Sequence, residues 1–280
     1  MSYKLFRQIK GIIMLSLSFF ATVLGIGLLF TILYCVMKSG LSGLSLALFT
    51  EDSAPAWLEG EGGLRHAFIG QIILTACASV IGIPIGILGG IYLAEYGNNN
   101  KIAKFISAVA DVSISIPTII IGTFIYTLLV KPFGGFSGWA GACSLAVILI
   151  PIVMRVTEES LRLIPDTLRE AALALGAPYY KVIKDVIIKS VLTGIFTGVS
   201  LAISRIAGET APLLFTSFNY NYLSFNMSEP MPSLTVTIFQ YAGSPYDSWI
   251  ASAWASSLVV TVFILITNII LKGIIGKRKV

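Results

Sequence analysis

Charge is scarce in this chain. Asp, Glu, Lys and Arg make up 12% of its 280 residues, 56% are hydrophobic, and the mean hydropathy is +0.87. So little polar side chain cannot clothe a fold in water, which excludes an ordinary soluble domain and leaves an integral membrane protein. Histidine occurs once, at His66, and cysteine three times, at Cys35, Cys77 and Cys143. The cysteines are odd in number and all fall in apolar runs, which argues against a disulfide framework and for small apolar fillers. A lone histidine at the outer end of an apolar run reads as a wet surface group rather than a metal ligand. The pattern Gly-x-x-x-x-Gly-Lys-Ser/Thr occurs nowhere, so the chain lacks the usual means of binding ATP. No nucleophile and base stand in an arrangement that supports a membrane enzyme. Glu95 and Asp111, near the ends of apolar runs, read as easily hydrated carboxylates.

Long apolar runs are what the chain does have. They extend from about Gly11 to Met37, Ala67 to Tyr96, Phe105 to Val130, Trp139 to Val156, Val191 to Phe215 and Ser248 to Leu271. Each can cross a hydrocarbon layer of roughly 30 Å, which needs about 20 helical residues. The expected fold class is an all-α integral membrane protein with six transmembrane helices. Six crossings put both termini on one side. Lys4, Arg7, Lys10, Lys101, Lys104, Arg155, Arg162, Arg169, Lys181, Lys184, Lys189 and the tail from Lys272 to Lys279 share that side, and only Lys38, Arg65 and Lys131 fall opposite. The positive-inside rule places the termini in the cytoplasm. The net charge of +5 and the pI near 9.1 therefore report orientation rather than nucleic-acid binding. The first run follows three basic residues but is too long for a secretion signal, whose apolar region is about 7 to 15 residues. The chain divides into a first helix and outer loop (1–66), a membrane domain (67–271) and a basic cytoplasmic tail (272–280).

Prolines and glycines punctuate the spans. Pro84, Pro117 and Pro151 each remove a backbone donor inside a run, so each is a candidate kink in a bundle with interior surfaces. Gly82, Gly86 and Gly90 recur every four residues, which lets a neighbouring helix come close. In the fifth run Arg205 lies about fourteen residues past Val191, roughly 21 Å along a helix. An arginine near a membrane helix centre costs about 2.5 to 3.5 kcal/mol on insertion scales. Glu209 is one turn further on. The two either neutralise each other and lock packing, or Arg205 offers a fixed positive charge to an oxyanion while Glu209 tempers it. Arg155 is a second candidate, near a span end where an arginine can snorkel.

A charged segment from about 158 to 189 separates the fourth and fifth runs. Leu161, Ile164, Leu168, Ala171, Ala172 and Leu175 recur at three- and four-residue steps, Gly176 is placed to close a helix, and Pro178 suits the start of another. Val182, Ile183, Val186 and Ile187 give the second helix an apolar stripe. On spacing alone this helix-turn-helix is either a docking element for a partner or a connector lying on lipid headgroups.

The run Glu170-Ala171-Ala172, three residues, then Gly176, before the penultimate span, is similar to the "EAA loop" of bacterial ABC-importer permeases. Its downstream Leu-Pro pair is absent, Ile187-Ile188-Lys189 standing near that place. The run from Arg205 to Thr216, with Leu161 to Pro165, Leu234 to Phe239 and Pro245, resembles the permease subunits of bacterial phosphate ABC importers; the likeness is specific from about Glu158 to Trp249. The resemblance implies a type I ABC importer permease core, with Glu170, Ala171, Ala172 and Gly176 in a coupling helix seated on an ATPase. It implies Arg205 in phosphate passage, with Glu209 and Arg155 as further pathway candidates. It also implies a PstC-like second permease, a PstB-like ATPase dimer that binds the ATP and Mg, and a PstS-like periplasmic phosphate-binding protein, in a bacterial inner membrane. The chain itself would need no cofactor. An ATP-independent anion carrier or channel and a permease for another oxyanion, such as sulfate or molybdate, are the alternatives. No internal repeat of the inverted kind supports the carrier. The aromatic outer stretch, about 216 to 247, either covers the pathway, meets the binding protein or folds back over helix ends.

Overall fold

The computed structural model describes residues 2–53, 62–97 and 100–276, and every regular element among them is helical. In chain order the elements are α1 (Ser2–Ser42), α2 (Ala47–Thr50), α3 (Arg65–Ile91), α4 (Lys101–Ser115), α5 (Thr118–Ile125), α6 (Lys131–Phe133), α7 (Gly138–Arg162), α8 (Asp166–Ala174), α9 (Tyr179–Lys181), α10 (Ile188–Ile206), α11 (Ala211–Leu214), α12 (Leu234–Ala242) and α13 (Asp247–Gly276). Widened π-turns prolong α3 through Tyr92–Tyr96, join α5 to α6 through Tyr126–Val130, and join α9 to α10 through Val182–Ile187. Lys277, Arg278 and Lys279 of the basic tail lie outside the described residues.

Five helices are long and apolar enough to cross a membrane: Tyr3–Ser42, Arg65–Tyr96, Gly138–Arg162, Tyr179–Ile206 and Asp247–Ile269. The sixth crossing expected from the sequence exists only as a broken one. Between Lys101–Ser115 and Thr118–Phe133 the chain turns by 107°. Ile116, the residue before Pro117, is held extended (φ −72°, ψ 133°), because the proline ring disfavours a helical conformation there. Pro84 and Pro151 lie inside helices that run through them, so of the three prolines only Pro117 marks a break.

The centre of the bundle is α7, in which Leu145, Leu149 and Val153 are fully buried. The four-residue glycine stripe of α3 does what its spacing suggests. A Cβ at Gly82 would press on Leu149, one at Gly86 on Val153, and one at Gly90 on the Met154 carbonyl and Thr157. On the opposite flank Gly198 of α10 faces Val156 and Gly194 faces Ser160. By contrast α1 is held only at its last turns, where Gly40 lies against Trp254 and Leu258 and Gly43 against Ala251 of α13. Most of its remaining apolar side chains, from Phe6 to Ile32, point outwards, as lipid-facing side chains do.

Two ends of the bundle can be told apart. At one, α12 packs on the start of α3, where Gly70 meets Pro232, and Tyr241 of α12 stacks on Trp249 at the start of α13, 4.3 Å between centroids. At the other lie α8 and α9. His66, at the α12 end, is fully buried and not the wet surface group expected. Described residues between α1 and α3 fold back over it, with Leu64 N–H donating to Leu48 O at 2.8 Å, Arg65 N–H to Glu51 O at 3.0 Å, and Arg65 Nη2 to Asp52 Oδ2 at 2.8 Å. The Arg65 guanidinium beside Asp52 holds that carboxyl below the usual carboxylate range.

Candidate functional site

The fifth span is not the continuous helix expected from Val191 to Phe215. Its helix stops at Ile206, and a non-helical link leads to α11. Ala207 N–H still donates to Ile203 O at 2.9 Å, while Gly208 and Glu209 close tight turns onto Arg205 O at 3.1 Å and Ile206 O at 3.2 Å. The Glu209 carbonyl, which has no helix to enter, accepts from the Thr235 hydroxyl of α12 at 2.8 Å. Thr235 is itself 3.5 Å from the Gln71 amide oxygen. Beyond the break Pro212 packs into the notch left by Gly122 of α5. Backbone broken at membrane depth survives only where protein or a water-lined path satisfies it, and this break is satisfied by protein on the α12 side.

Arg205 occupies the last turn before the break. It lies seven residues beyond Gly198 on a helix antiparallel to α7, and Gly198 faces Val156, so it is level with about residue 149, near the middle of α7. Its side chain is 49% exposed. The Glu209 carboxylate is 3.9 Å from Nε, a loose ion pair, and the guanidinium makes no hydrogen bond to a described residue. The two residues are thus brought together as expected, but too loosely for them to saturate each other. Behind the break a mostly apolar cavity of about 530 Å³ lies between α3, α10 and α13; Phe68, Ile203, Val259, Phe263 and Ile264 line it along with Gln71, Thr75, Ser79 and Ser204, and Arg205 is not part of its wall.

Arg155 does not snorkel. It is 19% exposed, and Nη2 bonds Asp111 Oδ2 at 2.6 Å and the Ser107 carbonyl and hydroxyl at 2.8 and 2.7 Å, tying α4 to α7. Nη1 donates to Glu158 Oε2 at 2.6 Å. Glu158, 6% exposed, also accepts from Arg162 Nη2 at 2.9 Å. The cluster as a whole escaped sequence reasoning, although Asp111, read as easily hydrated, is 64% exposed as well as paired with Arg155.

The charged segment folds as a helix, a turn and a second helix. Gly176 is left-handed (φ +81°), its N–H donates to Leu173 O at 2.8 Å, and Ala177 N–H reaches Ala172 O at 3.4 Å, the paired closure of a Schellman end. The expected apolar stripe divides. Leu161 and Ile164 are buried in a small core with Val182 and Ile187, and Ala172 packs partly against it, whereas Leu168, Leu173 and Leu175 are exposed. Glu170, Ala171 and Gly176 are exposed beside them. Apolar side chains thus stay exposed around one short helix.

Arg169 and Glu95 were missed, because 74 residues separate them. The Glu95 side chain is 1% exposed, not hydrated, and Arg169 grips both its oxygens, at 2.8 and 3.3 Å. Among the described residues no group of three or more His, Cys, Asp or Glu side chains is placed to hold a metal ion.

Comparison with known proteins accords with this geometry. Residues 82–279 match the family described as binding-protein-dependent transport system inner membrane component. The "Phosphate transport system permease protein PstA" of Yersinia pestis is 45% identical over 273 residues, covering 98% of this chain and 92% of that protein. Its Haemophilus influenzae namesake is 46% identical over 263 residues, covering 94% and 93%. The "Probable phosphate transport system permease protein PstA" of Methanocaldococcus jannaschii is 35% identical over 269 residues, covering 94% and 92%. A chain of the MetNI methionine ABC transporter, solved in inward-facing form, superposes with a TM-score of 0.60 at 19% identity, covering 76% of this chain and 92% of that one, a likeness of fold. The chain is a multi-pass permease that belongs to the inner-membrane components of binding-protein-dependent transport systems, within the group of phosphate transport system permeases named PstA.

Proposed function

We propose that this permease forms half of the translocation pathway of an ATP-driven importer of inorganic phosphate. The observation that carries the reading is Arg205, a guanidinium at mid-span, half exposed and without a hydrogen bond to a described residue, beside a break in its own helix. A guanidinium fork matches phosphate oxygens, and an intramembrane charge that its own chain does not satisfy is a functional group by default. Glu209, 3.9 Å away, weakens the grip enough for the anion to leave. Arg155, with both terminal nitrogens engaged by Asp111, Glu158 and Ser107, serves the pathway by holding α4 against α7. The names of the relatives support phosphate as cargo.

The exposed face of α8, with Glu170, Ala171 and the Gly176 turn, and Ala172 packed behind it, seats a separate ATPase dimer that binds ATP and Mg. A homologous second permease completes the pathway, and a periplasmic phosphate-binding protein delivers the anion at the α12 end. The bias of basic residues supports a bacterial inner membrane location with both termini in the cytoplasm. Antiparallel packing of α1 on α13 is consistent with both termini on one side.

Reconstitution with the neighbouring subunits, followed by ATP-dependent uptake of phosphate, sulfate and molybdate in parallel, tests the reading. Phosphate uptake well above the others is expected, and uptake without any ATPase present would overturn it. Glu170→Lys or Gly176→Val should leave ATP hydrolysis running while transport falls; undiminished transport in both counts against docking at α8.

A further inference from the structure

The ion pair between Arg169 and Glu95 joins more elements than any other among the described residues. From α8, Arg169 directs Nη2 and Nε at the two oxygens of Glu95, at 2.8 and 3.3 Å. Its remaining donors go to the Leu161 carbonyl at 3.2 Å, the Ile164 carbonyl at 2.8 Å and Asp166 Oδ1 at 3.1 Å. Leu161 is in the last turn of α7 and Ile164 just beyond, where a helix leaves carbonyls without partners. Glu95 sits in the π-turn that ends the second span, and on its other side the Tyr179 hydroxyl lies 3.3 Å from both its backbone carbonyl and Oε2. Tyr179 opens α9 and meets Tyr96 edge to face, 5.9 Å between centroids. One buried carboxylate and one guanidinium thus fasten the end of the second span, the end of α7, and the helices on both sides of the Gly176 turn.

That arrangement has a mechanical meaning. The exposed face of α8 is free to be pushed, while the opposite side is bonded to the second span rather than packed loosely against it. A fork of two charge-assisted bonds resists rotation as well as separation, which a single contact does not. A displacement of α8 therefore carries the second span with it, and with that span the glycine stripe packed on Leu149 and Val153, the level at which Arg205 lies.

We propose that Arg169 and Glu95 are positioning residues that transmit movement of α8 to the second span, so that ATP hydrolysis does transport work. The proposal rests on the reading of α8 as the ATPase seat. Its test is uptake of radiolabelled phosphate per ATP hydrolysed in the complete reconstituted complex, for Glu95→Gln, Arg169→Gln and the double variant. Each single variant should keep ATP hydrolysis within about threefold of wild type and lose tenfold or more in phosphate moved per ATP. The double variant should be no worse than the poorer single one, as for two halves of one interaction. Proportional loss of hydrolysis and uptake, or single effects that multiply in the double variant, would overturn the proposal. Where a charge variant does not assemble, Tyr179→Phe decides: it keeps the ion pair and removes one hydroxyl, so phosphate moved per ATP should fall about threefold, and an unchanged ratio rejects the clamp. The α8 variants separate the two readings. If Glu170→Lys leaves both ATPase retention and uptake untouched, the seat is elsewhere; if uptake falls there but the ratio is normal in Glu95→Gln and Arg169→Gln, the clamp alone fails.

Discussion

Arg155 and Arg205 both lie near the middle or end of long helices of one bundle, on α7 and α10, yet their surroundings differ in kind. Arg155 is nearer the α8 end and is gripped by Asp111, Glu158 and Ser107, with contacts of 2.6 to 2.8 Å. Arg205 has one carboxylate at 3.9 Å and is half exposed. The contrast separates a charge that holds helices together from a charge left over for something else. A guanidinium has five donors, and the useful question for a membrane arginine is how many its own chain has already taken.

The largest effect that would break this comparison is at Arg205. Arg205→Gln should cut phosphate uptake by about a hundredfold, near the loss of a charge-assisted contact of roughly 3 kcal/mol, with complex assembly and thermal stability unchanged. Wild-type uptake would demote Arg205 to packing. Arg155→Gln should act the other way round. Removing one partner of a buried pair costs about 3 to 5 kcal/mol, and Glu158, 6% exposed, would keep only Arg162. A lowered Tm and poor yield are expected in detergent, and a variant of normal Tm that has lost only uptake would make Arg155 a pathway residue instead.

A smaller effect sharpens the picture of the break. Thr235→Val removes the donor to the Glu209 carbonyl, which should cost about 1 to 2 kcal/mol and reduce uptake severalfold through misplacement of Arg205, with Thr235→Ser restoring it. If valine and serine behave alike, the hydroxyl does not brace the break. The smallest effect concerns a third arginine, Arg65, whose pair with Asp52 is 43% and 32% exposed. Because the Asp52 carboxyl is depressed in the folded protein, its contribution is present above the ordinary aspartate value of about 3.9 and fades as pH falls through the lower folded value. An exposed pair of this kind contributes little to stability. Asp52→Asn should shift Tm slightly at neutral pH and not at all at the acid end, as a pH series of melting curves would reveal.

Local features were the legible ones. The Gly82, Gly86 and Gly90 stripe, the left-handed Gly176 and the oddity of an arginine in the fifth run all announce themselves within a few residues, because helix periodicity and backbone conformation are short-range properties. Pairs across the fold left no such trace. Asp111 meets Arg155, and Glu95 meets Arg169, through packing of separate helices, so neither pairing could be read from its carboxylate alone, and Glu95 looked hydrated though it is buried. His66 failed for a related reason: its burial depends on a loop folding back, which no periodicity records. The bend at Pro117 and the stop after Ile206 lie between these cases. The extended residue before a proline was a usable sign at Ile116, and Gly208 with Pro212 hinted at a break that hydropathy alone smoothed over.

The grip of Gly40 and Gly43 on α13 joins the earliest helix of the chain to the latest. During synthesis α1 must therefore wait in the bilayer, with Gly40 and Gly43 facing lipid, until Ala251, Trp254 and Leu258 have been made.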